Sequence, residues 1–301
     1  MGRERLRWLD WPEVSTDACR MPTLYPAPFL EVRFRDFTEP YPTTGLCAGY
    51  EAGAWRSARL ADHLFQWLPF AALNQENQLD FGSHNFVELL RNAAAHIYNT
   101  KKTASRGELG ELLLHLACIL HFETVPVMCK LVLKSSSNDT VKGFDGVHLV
   151  VKEDGFELWL GESKFFSDPL EAIRDAVTSV KTHILPSFLT TEKAMLFGHV
   201  APGIPYRDDV LKLFKSQTSG DKLLEMSVFP ILITYESGSV SKFKALSNAY
   251  SESLAMELSA LRDYFGEKAN ELKLNFQLVF VPMGKKKELV EHFDKLLEPF
   301  L

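Results

Sequence analysis

Apolar and polar residues alternate along residues 145–165 in a pattern typical of a β-hairpin. Asp154-Gly155 predicts a two-residue turn, because glycine accommodates the positive φ that such turns require. Valine, leucine, phenylalanine and tryptophan flank the turn on both sides, as strands prefer. With this turn as the loop, Glu162 faces Val147. Because the sides alternate along each strand, one side of the hairpin carries a core stripe of Val147, Leu149, Val151, Leu158 and Leu160.

The same side ends, far from the turn, in three charged residues, Asp145, Glu162 and Lys164. In this register Lys164 faces Asp145, and Asp145 and Glu162 are diagonal neighbours with Cβ atoms roughly 7–8 Å apart. Two such carboxylates can share one hard cation, and the ammonium of Lys164 can hold a water or an anionic substrate oxygen. Ordinary turn and edge charges are the alternative, but isolated charges on a core side are costly. The register therefore favours a site.

The pattern elsewhere predicts helices alternating with strands. Expected helices cover 85–99, 107–122, 168–184, 247–272 and 285–297, and expected strands cover 30–34, 125–133, 228–235 and 275–281. This order predicts an α/β fold in which helices flank a central mixed sheet.

Residues 1–80 differ from the rest in being rich in proline and tryptophan. We expect an N-terminal extension over 1–80, with a helix that ends before Pro69, and a larger domain over 81–301. A structural extension packed on the main domain is favoured over a surface for a partner. The tryptophans of this region are Trp8, Trp11, Trp55 and Trp67.

Composition and charge narrow the class of protein. The 301 residues are 46% hydrophobic, enough for a large core. No apolar run is long enough to cross a bilayer and no secretory signal is present, so a cytoplasmic protein is expected. A net charge of −6 predicts weak binding to nucleic acid by the chain alone. No motif of a P-loop NTPase or a serine hydrolase occurs. Free buried thiols are expected at Cys19, Cys47, Cys118 and Cys129.

The segment GELGELLLHL places two acids and a histidine on one face of a helix: Glu108, Glu111 and His115. Ser105 predicts an N-cap with Glu108 as its capping-box partner. Glu111 lies deeper in the helix and is the favoured site acid, with Glu108 as the alternative. His148 falls on the opposite side of the hairpin and is expected to be structural. No histidine spacing predicts a zinc site.

These motifs resemble those of the PD-(D/E)xK nuclease superfamily. Its first half falls on Phe144-Asp145, without the proline, and its second half on Glu162-Ser163-Lys164. More narrowly, GELGELLLHL, GFDGVHL and LWLGESKFF resemble the DUF1837 family, which includes the nuclease subunit of the Hachiman anti-phage system. This resemblance spans roughly residues 20 to 300.

The resemblance implies a bacterial DNA nuclease that uses Mg²⁺, with Mn²⁺ as a substitute. Asp145, Glu162, Glu111 and the backbone carbonyl of Ser163 would hold the metal, and Lys164 would act on the water. It also implies a stable complex with a superfamily 2 helicase. Because tryptophan and tyrosine anchors commonly dominate interfaces, we expect the aromatic residues of 1–80 to form part of the docking surface. A catalytically silent nuclease fold that serves as an interaction or DNA-binding module is the alternative.

Overall fold

The computed structural model describes residues 25–74, 77–78, 80, 82, 84–98, 106–133 and 143–301. Its strands are β1 (Glu31–Asp36), β2 (Thr43–Cys47), β3 (Tyr50–Glu51), β4 (Ala54–Trp55), β5 (Val125–Cys129), β6 (Gly146–Lys152), β7 (Gly155–Phe165), β8 (Ser227–Glu236) and β9 (Asn275–Met283). Its helices are α1 (Ser57–Ala72), α2 (Phe86–Tyr98), α3 (Gly107–Phe122), α4 (Pro169–His183), α5 (Pro186–Phe197), α6 (Arg207–Phe214), α7 (Gly220–Glu225), α8 (Gly238–Lys242), α9 (Asn248–Ala269) and α10 (Lys286–Leu297).

A seven-stranded mixed sheet forms the centre, in the order β1-β2-β9-β8-β7-β6-β5, and helices flank it. The middle strands β2, β9, β8 and β7 run parallel, whereas β1 at one end and the β6 and β5 strands at the other are antiparallel to their neighbours. β8 and β9 read as apolar runs because parallel strands are covered on both faces, and nearly all of their residues are buried. The α/β architecture predicted from the sequence is confirmed.

Two strands of this sheet come from the first 80 residues. β1 was expected, but β2 was not, because its sequence TTGLC is short and only partly apolar. Within the sheet, β2 pairs with β9 on one side and with β1 on the other. The division into an extension and a larger domain at residue 80 stays a prediction.

The helix expected to end before Pro69 continues through it to Ala72. A proline inside a helix removes one backbone hydrogen bond, but Leu68 and Ala71 are fully buried and the Leu73 N–H still bonds to the Pro69 carbonyl. Tertiary packing therefore outweighs the local break. In the same way, the strand expected over 125–133 ends at Cys129 and gives way to a 3₁₀ turn.

The two tryptophans that the structure describes within the first 80 residues do not supply an exposed aromatic surface. Trp55 and Trp67 are buried, so neither can anchor a partner, which corrects that part of the expectation. Trp8 and Trp11 lie outside the described residues, as does Cys19. Cys47, Cys118 and Cys129 are buried free thiols, as predicted. Among the described residues, no helix is long and apolar enough to cross a membrane.

Candidate active site

The hairpin of β6 and β7 turns one residue earlier than the sequence predicts. Lys152 pairs with Gly155, so Glu153 and Asp154 form the loop and Gly155, with φ of +150°, begins β7. This correction shifts the pairing by two residues, which keeps every side chain on its predicted side. It changes only which residues face each other along the hairpin.

The corrected register places Asp145 across from Glu162 instead of diagonal to it. Gly146 pairs with Gly161, and the Asp145 N–H donates to the Gly161 carbonyl at 2.9 Å. One further step along the ladder therefore sets the two acids opposite each other, where side chains lie closer than on a diagonal. Both carboxylates are buried, with 7% of Asp145 and 4% of Glu162 exposed.

Asp145 is held by neighbours on both of its oxygens. Its Oδ2 accepts hydrogen bonds from the backbone N–H and the hydroxyl of Ser163, each at 2.8 Å, and its Oδ1 lies 3.0 Å from Nζ of Lys130. Burial alone would raise the pKa of Asp145, but Lys130 and the Ser163 donors lower it below its usual value. Ser163 thus contacts Asp145, and its carbonyl as a metal ligand stays a prediction.

The negative charge of Glu162 is stabilised by fewer partners than that of Asp145. Its Oε1 pairs with Nζ of Lys164 at 2.9 Å, whereas its buried Oε2 has no hydrogen-bond partner among the described residues. Burial and the charge of Asp145 raise the pKa of Glu162 above its ordinary value, against the lowering effect of Lys164. The two acids therefore repel each other, and a cation between them would relieve that repulsion.

Lys164 connects the hairpin to α4. Its Nζ pairs with Oδ2 of Asp175 at 2.6 Å and donates to the Ser179 hydroxyl at 2.9 Å, in addition to Glu162. Burial lowers the pKa of Lys164, but Glu162 and Asp175 outweigh it and raise the pKa above its usual value. Lys164 is therefore charged and fixed in one orientation beside Glu162.

Three of the surrounding polar residues share one face of α4 and were missed. Asp175, Ser179 and His183 follow each other at intervals of four, next to the apolar stripe that was recognised on this helix. His183 stacks on Phe188, with ring centroids 4.4 Å apart, and its Nδ1 lies 3.3 Å from Oε2 of Glu162 without an aligned hydrogen bond. Burial and Lys130 lower the pKa of His183 to about 4, so it faces Glu162 as a neutral ring.

The sequence reasoning also missed Glu192 of α5, which fixes the approach to Asp145. Its Oε1 accepts from the Phe144 N–H at 3.1 Å. Gly143 has φ of +154°, and a Cβ there would lie 2.9 Å from Oε2 of Glu192, so only glycine fits. Burial raises the pKa of Glu192 to about 7. No spacing in the sequence connects Glu192 to Asp145.

Both candidate acids of α3 are buried, but they stand in different surroundings. The charge of Glu111 contributes to raising the pKa of Lys130, which is in contact with Asp145. α3 begins after Arg106, which is the N-cap residue and makes no side-chain cap. Glu108 is therefore not at the capping-box position expected for a Ser105 N-cap; Ser105 itself lies outside the described residues.

Close packing brings α3 onto the hairpin. A Cβ on Gly110 would lie 3.2 Å from the Ser163 hydroxyl, and one on Gly161 would lie 2.8 Å from Leu114. These two glycines let the helix approach the end of β7 that carries the site. His148 lies on the opposite side from Glu162, with its Nδ1 2.8 Å from the Thr124 hydroxyl.

The donor set fits one divalent cation with an incomplete protein shell. Among the described residues no group of three or more metal-ligating side chains converges. Two carboxylates do converge, however, and Mg²⁺ in enzymes keeps several waters and is bound through one or two carboxylates plus substrate phosphate. In the described part of the chain, five carboxyl groups face two ammonium groups here, namely Asp145, Glu162, Asp175, Glu111 and Glu192 against Lys130 and Lys164.

Comparison with known proteins adds a family. The profile of the HamA family matches residues 25–297. The Escherichia coli K12 protein named anti-bacteriophage protein A is 21% identical over 192 residues, which covers 62% of this chain and 35% of that protein. The chain thus aligns with about a third of the length of that curated relative. No solved structure matches the chain.

Proposed function

The chain belongs to the HamA family, and from that premise we propose that it is a metal-dependent deoxyribonuclease of the PD-(D/E)xK type that acts in anti-phage defence. The observation that carries the proposal is the convergence of two mutually repelling carboxylates, Asp145 and Glu162, beside the fixed ammonium of Lys164. The name of the E. coli relative supports the defence role. The resemblance to the nuclease subunit of the Hachiman system supports the chemistry.

Asp145 and Glu162 would hold Mg²⁺ or Mn²⁺ between them, with the Ser163 carbonyl as a further ligand. Glu111 does not form a group of three with these acids in the described part of the chain, so it would have to move closer to act as a ligand. When bound, the metal would lower the pKa of the attacking water, orient the scissile phosphate and stabilise the charge of the displacement. Ser163 keeps Asp145 ionised and oriented through its two hydrogen bonds. The unpaired Oε2 of Glu162 is the carboxylate oxygen that remains available to a cation.

Lys164 would orient the attacking water or neutralise charge on the phosphate. Asp175 and Ser179 hold its ammonium near Glu162, and its raised pKa keeps it protonated at neutral pH. A protonated lysine donates hydrogen bonds but cannot accept a proton. Lys164 therefore acts through its charge and its donors unless substrate binding separates it from Asp175.

A partner would deliver the DNA. The net charge of −6 opposes binding of a polyanion. Of the clustered cations Lys285, Lys286 and Lys287, the first pairs with Glu236 and the second donates to the Phe165 carbonyl. The third is exposed and lies 3.6 Å from Glu291. We infer a stable complex with a superfamily 2 helicase in the bacterial cytoplasm. In that complex the nuclease would stay quiet until the helicase presents DNA.

A catalytically silent interaction or DNA-binding module is the second candidate, and one contact favours it. Lys130 lies against Oδ1 of Asp145, at a position where a metal ligand should face an ion. In a silent protein, this ion pair would be the permanent state of the site. Asp145 would then be a structural acid, and no divalent ion would bind.

The test is cleavage of supercoiled plasmid DNA by the purified chain and by its complex with the helicase, with Mg²⁺, Mn²⁺ or EDTA. We expect little cleavage by the chain alone, and cleavage by the complex with ATP and metal that EDTA abolishes. A complex that leaves the DNA intact under all conditions would support the silent module. Cleavage that persists in EDTA would refute the metal requirement.

A further inference from the structure

Lys130 is the second cation of the site and belongs to neither half of the nuclease motif. It lies in the 3₁₀ turn that follows β5, and its own N–H donates to the Asp145 carbonyl at 3.0 Å. Its Nζ lies 3.0 Å from Oδ1 of Asp145 and 3.2 Å from the Gly143 carbonyl. The side chain is only 16% exposed. Backbone and side chain of Lys130 thus both contact one residue.

The partners of Lys130 differ from those of Lys164. Lys164 is shared among Glu162, Asp175 and Ser179, so its position is fixed even if one partner turns to another ligand. Among the partners that the described residues supply, Lys130 has one carboxylate within ion-pair distance, Asp145, and one neutral acceptor, the Gly143 carbonyl. Its place in the site therefore depends on Asp145.

The ammonium of Lys130 occupies the place beside Asp145 where a bound metal ion would lie. It lies at a buried oxygen of Asp145 and also feels the charges of Glu111 and Glu162. An acid that is buried and unpaired is costly, and one ammonium offsets much of that cost. A divalent ion placed between the same acids would repel the ammonium at short range. Oδ1 of Asp145 has two lone pairs, but an ammonium and a divalent ion that both contact it would lie close together, and their repulsion favours the departure of the ammonium.

We propose that Lys130 is the resident counterion of Asp145 and that a divalent metal ion binds by displacing its ammonium from Oδ1. This inference rests on the proposed function, since it takes Asp145 as a metal ligand. Lys130 then stabilises the site without metal and weakens the affinity for metal. It acts as a positioning residue, because it acts through Asp145, and it sets the metal concentration at which the site fills.

The first experiment measures Mn²⁺ binding to the full chain by electron paramagnetic resonance or calorimetry. It compares wild type with Lys130→Met, which keeps the length of the side chain and removes its charge. Lys152→Met is the control, because Lys152 is an exposed lysine paired with Glu157 on the same hairpin. We expect binding at least about tenfold tighter in Lys130→Met, equivalent to about 1.4 kcal/mol, and no change in Lys152→Met.

The outcomes separate this inference from the proposed function. Saturable binding with the same or a lower affinity in Lys130→Met would overturn the counterion role and leave the nuclease proposal standing. Absence of binding in both wild type and Lys130→Met would overturn both. Binding by Lys130→Met but not by wild type would overturn the displacement, because the ammonium would then exclude the ion instead of yielding to it.

A second experiment needs no variant and tests the displacement itself. The rate at which an amine-reactive ester acylates Lys130 in wild type is measured by mass spectrometry, with and without saturating Mn²⁺. An ammonium released from Asp145 loses the ion pair that keeps it protonated, so acylation of Lys130 should accelerate several-fold while that of Lys152 stays constant. An unchanged rate at Lys130 in protein that binds Mn²⁺ would overturn the displacement.

Discussion

The two sides of the β6–β7 hairpin both bury polar side chains, but those on one side are charged and those on the other are neutral. One side carries Asp145 and Glu162 with two ammonium groups around them. The other carries His148, which bonds to Thr124 and lies with its ring centroid 5.1 Å from that of His115. Burial lowers the pKa of His115 to about 4 and that of His148 well below its usual value, so this side is neutral.

The difference shows what marks a site within a core. A buried atom without a hydrogen bond does not mark it, because Nε2 of His148 lacks a partner among the described residues just as Oε2 of Glu162 does. Excess like charge does mark it. A neutral histidine costs little once buried, whereas two facing carboxylates stay costly unless cations compensate them. The histidine side is therefore structural, and the acid side is the candidate for chemistry.

The largest expected effect is the loss of DNA cleavage when residues on the acid side of the hairpin are mutated. Asp145→Ala, Glu162→Ala and Lys164→Ala should each reduce DNA cleavage by the active complex below detection, because each removes a ligand or the fixed ammonium. The measurement is a cleavage time course, with circular dichroism to verify folding. Without metal, Glu162→Ala should not lower the melting temperature, because it relieves the repulsion between the two acids and Lys164 keeps Asp175. Asp145→Ala should lower it, because the buried ammonium of Lys130 then loses its carboxylate.

His148→Ala is the matched control from the opposite side. It should keep cleavage within a few-fold of wild type once correct folding is established. Complete loss in a folded His148→Ala protein would contradict the division into two sides. Wild-type rates in any of the three site variants would remove that residue from the site.

A smaller effect is expected from the acid of α3. Glu111→Gln should reduce cleavage by about 10- to 100-fold, the range typical of residues that support metal ligands, because its charge reaches Lys130 at the site. Glu108→Gln, a matched change one turn earlier on the same helix, should leave cleavage within a few-fold. The reverse result would transfer the role to Glu108. Parallel melting curves would show whether either change acts through stability.

Variants of Glu192 test whether cleavage requires the segment 143–145 to be fixed by its hydrogen bond to α5. Glu192→Ala removes the acceptor of the Phe144 N–H and should lower cleavage about tenfold or more. Glu192→Gln keeps a carbonyl acceptor and should restore most of the activity. Equal activity of wild type and both variants would show that α5 does not position the 143–145 segment.

The smallest effect concerns the neutral side and is a change in stability. The pKa of His115 is about 4 in the folded protein and about 6.5 when unfolded. Between these values the unfolded chain binds more protons, so stability is present at pH 7 and is lost as the pH falls from 6.5 towards 4. One such histidine costs on the order of 1–2 kcal/mol at pH 5.

Thermal unfolding at pH 7 and pH 5 checks this expectation. His115→Gln should reduce the drop in melting temperature between the two pH values, and His84→Gln, at an exposed position, should not. An equal drop in wild type and His115→Gln would show that the acid sensitivity arises elsewhere. Burial and Lys130 also lower the pKa of His183, so part of the drop should persist in His115→Gln.

The sequence predicted the parts of the site that depend on local patterns. Alternation along the hairpin placed Asp145, Glu162 and Lys164 on one side, and this survived a wrong turn position because the error was an even number of residues. The polar stripe of Asp175, Ser179 and His183 could also have been predicted, because its residues are four positions apart on one helix, but it was overlooked.

Other parts could not be predicted, because they depend on packing between distant segments. Lys130 contacts Asp145 from the 3₁₀ turn after β5, and Glu192 of α5 bonds to the neighbouring Phe144 N–H, with no spacing that connects either residue to Asp145. The same holds for β2, whose short sequence becomes a central strand only by pairing with β9. Pro69 shows the converse case, in which a local break in the sequence is overridden by the burial of its neighbours.

The most direct test of the central claim is Mn²⁺ binding to the isolated chain, because it does not depend on a partner that delivers DNA. Wild type, Glu162→Gln and His148→Gln would be titrated side by side by electron paramagnetic resonance. We expect saturable binding by wild type and His148→Gln at micromolar to millimolar metal, and loss of that binding in Glu162→Gln. Wild type without saturable binding, or Glu162→Gln with undiminished binding, would contradict that claim.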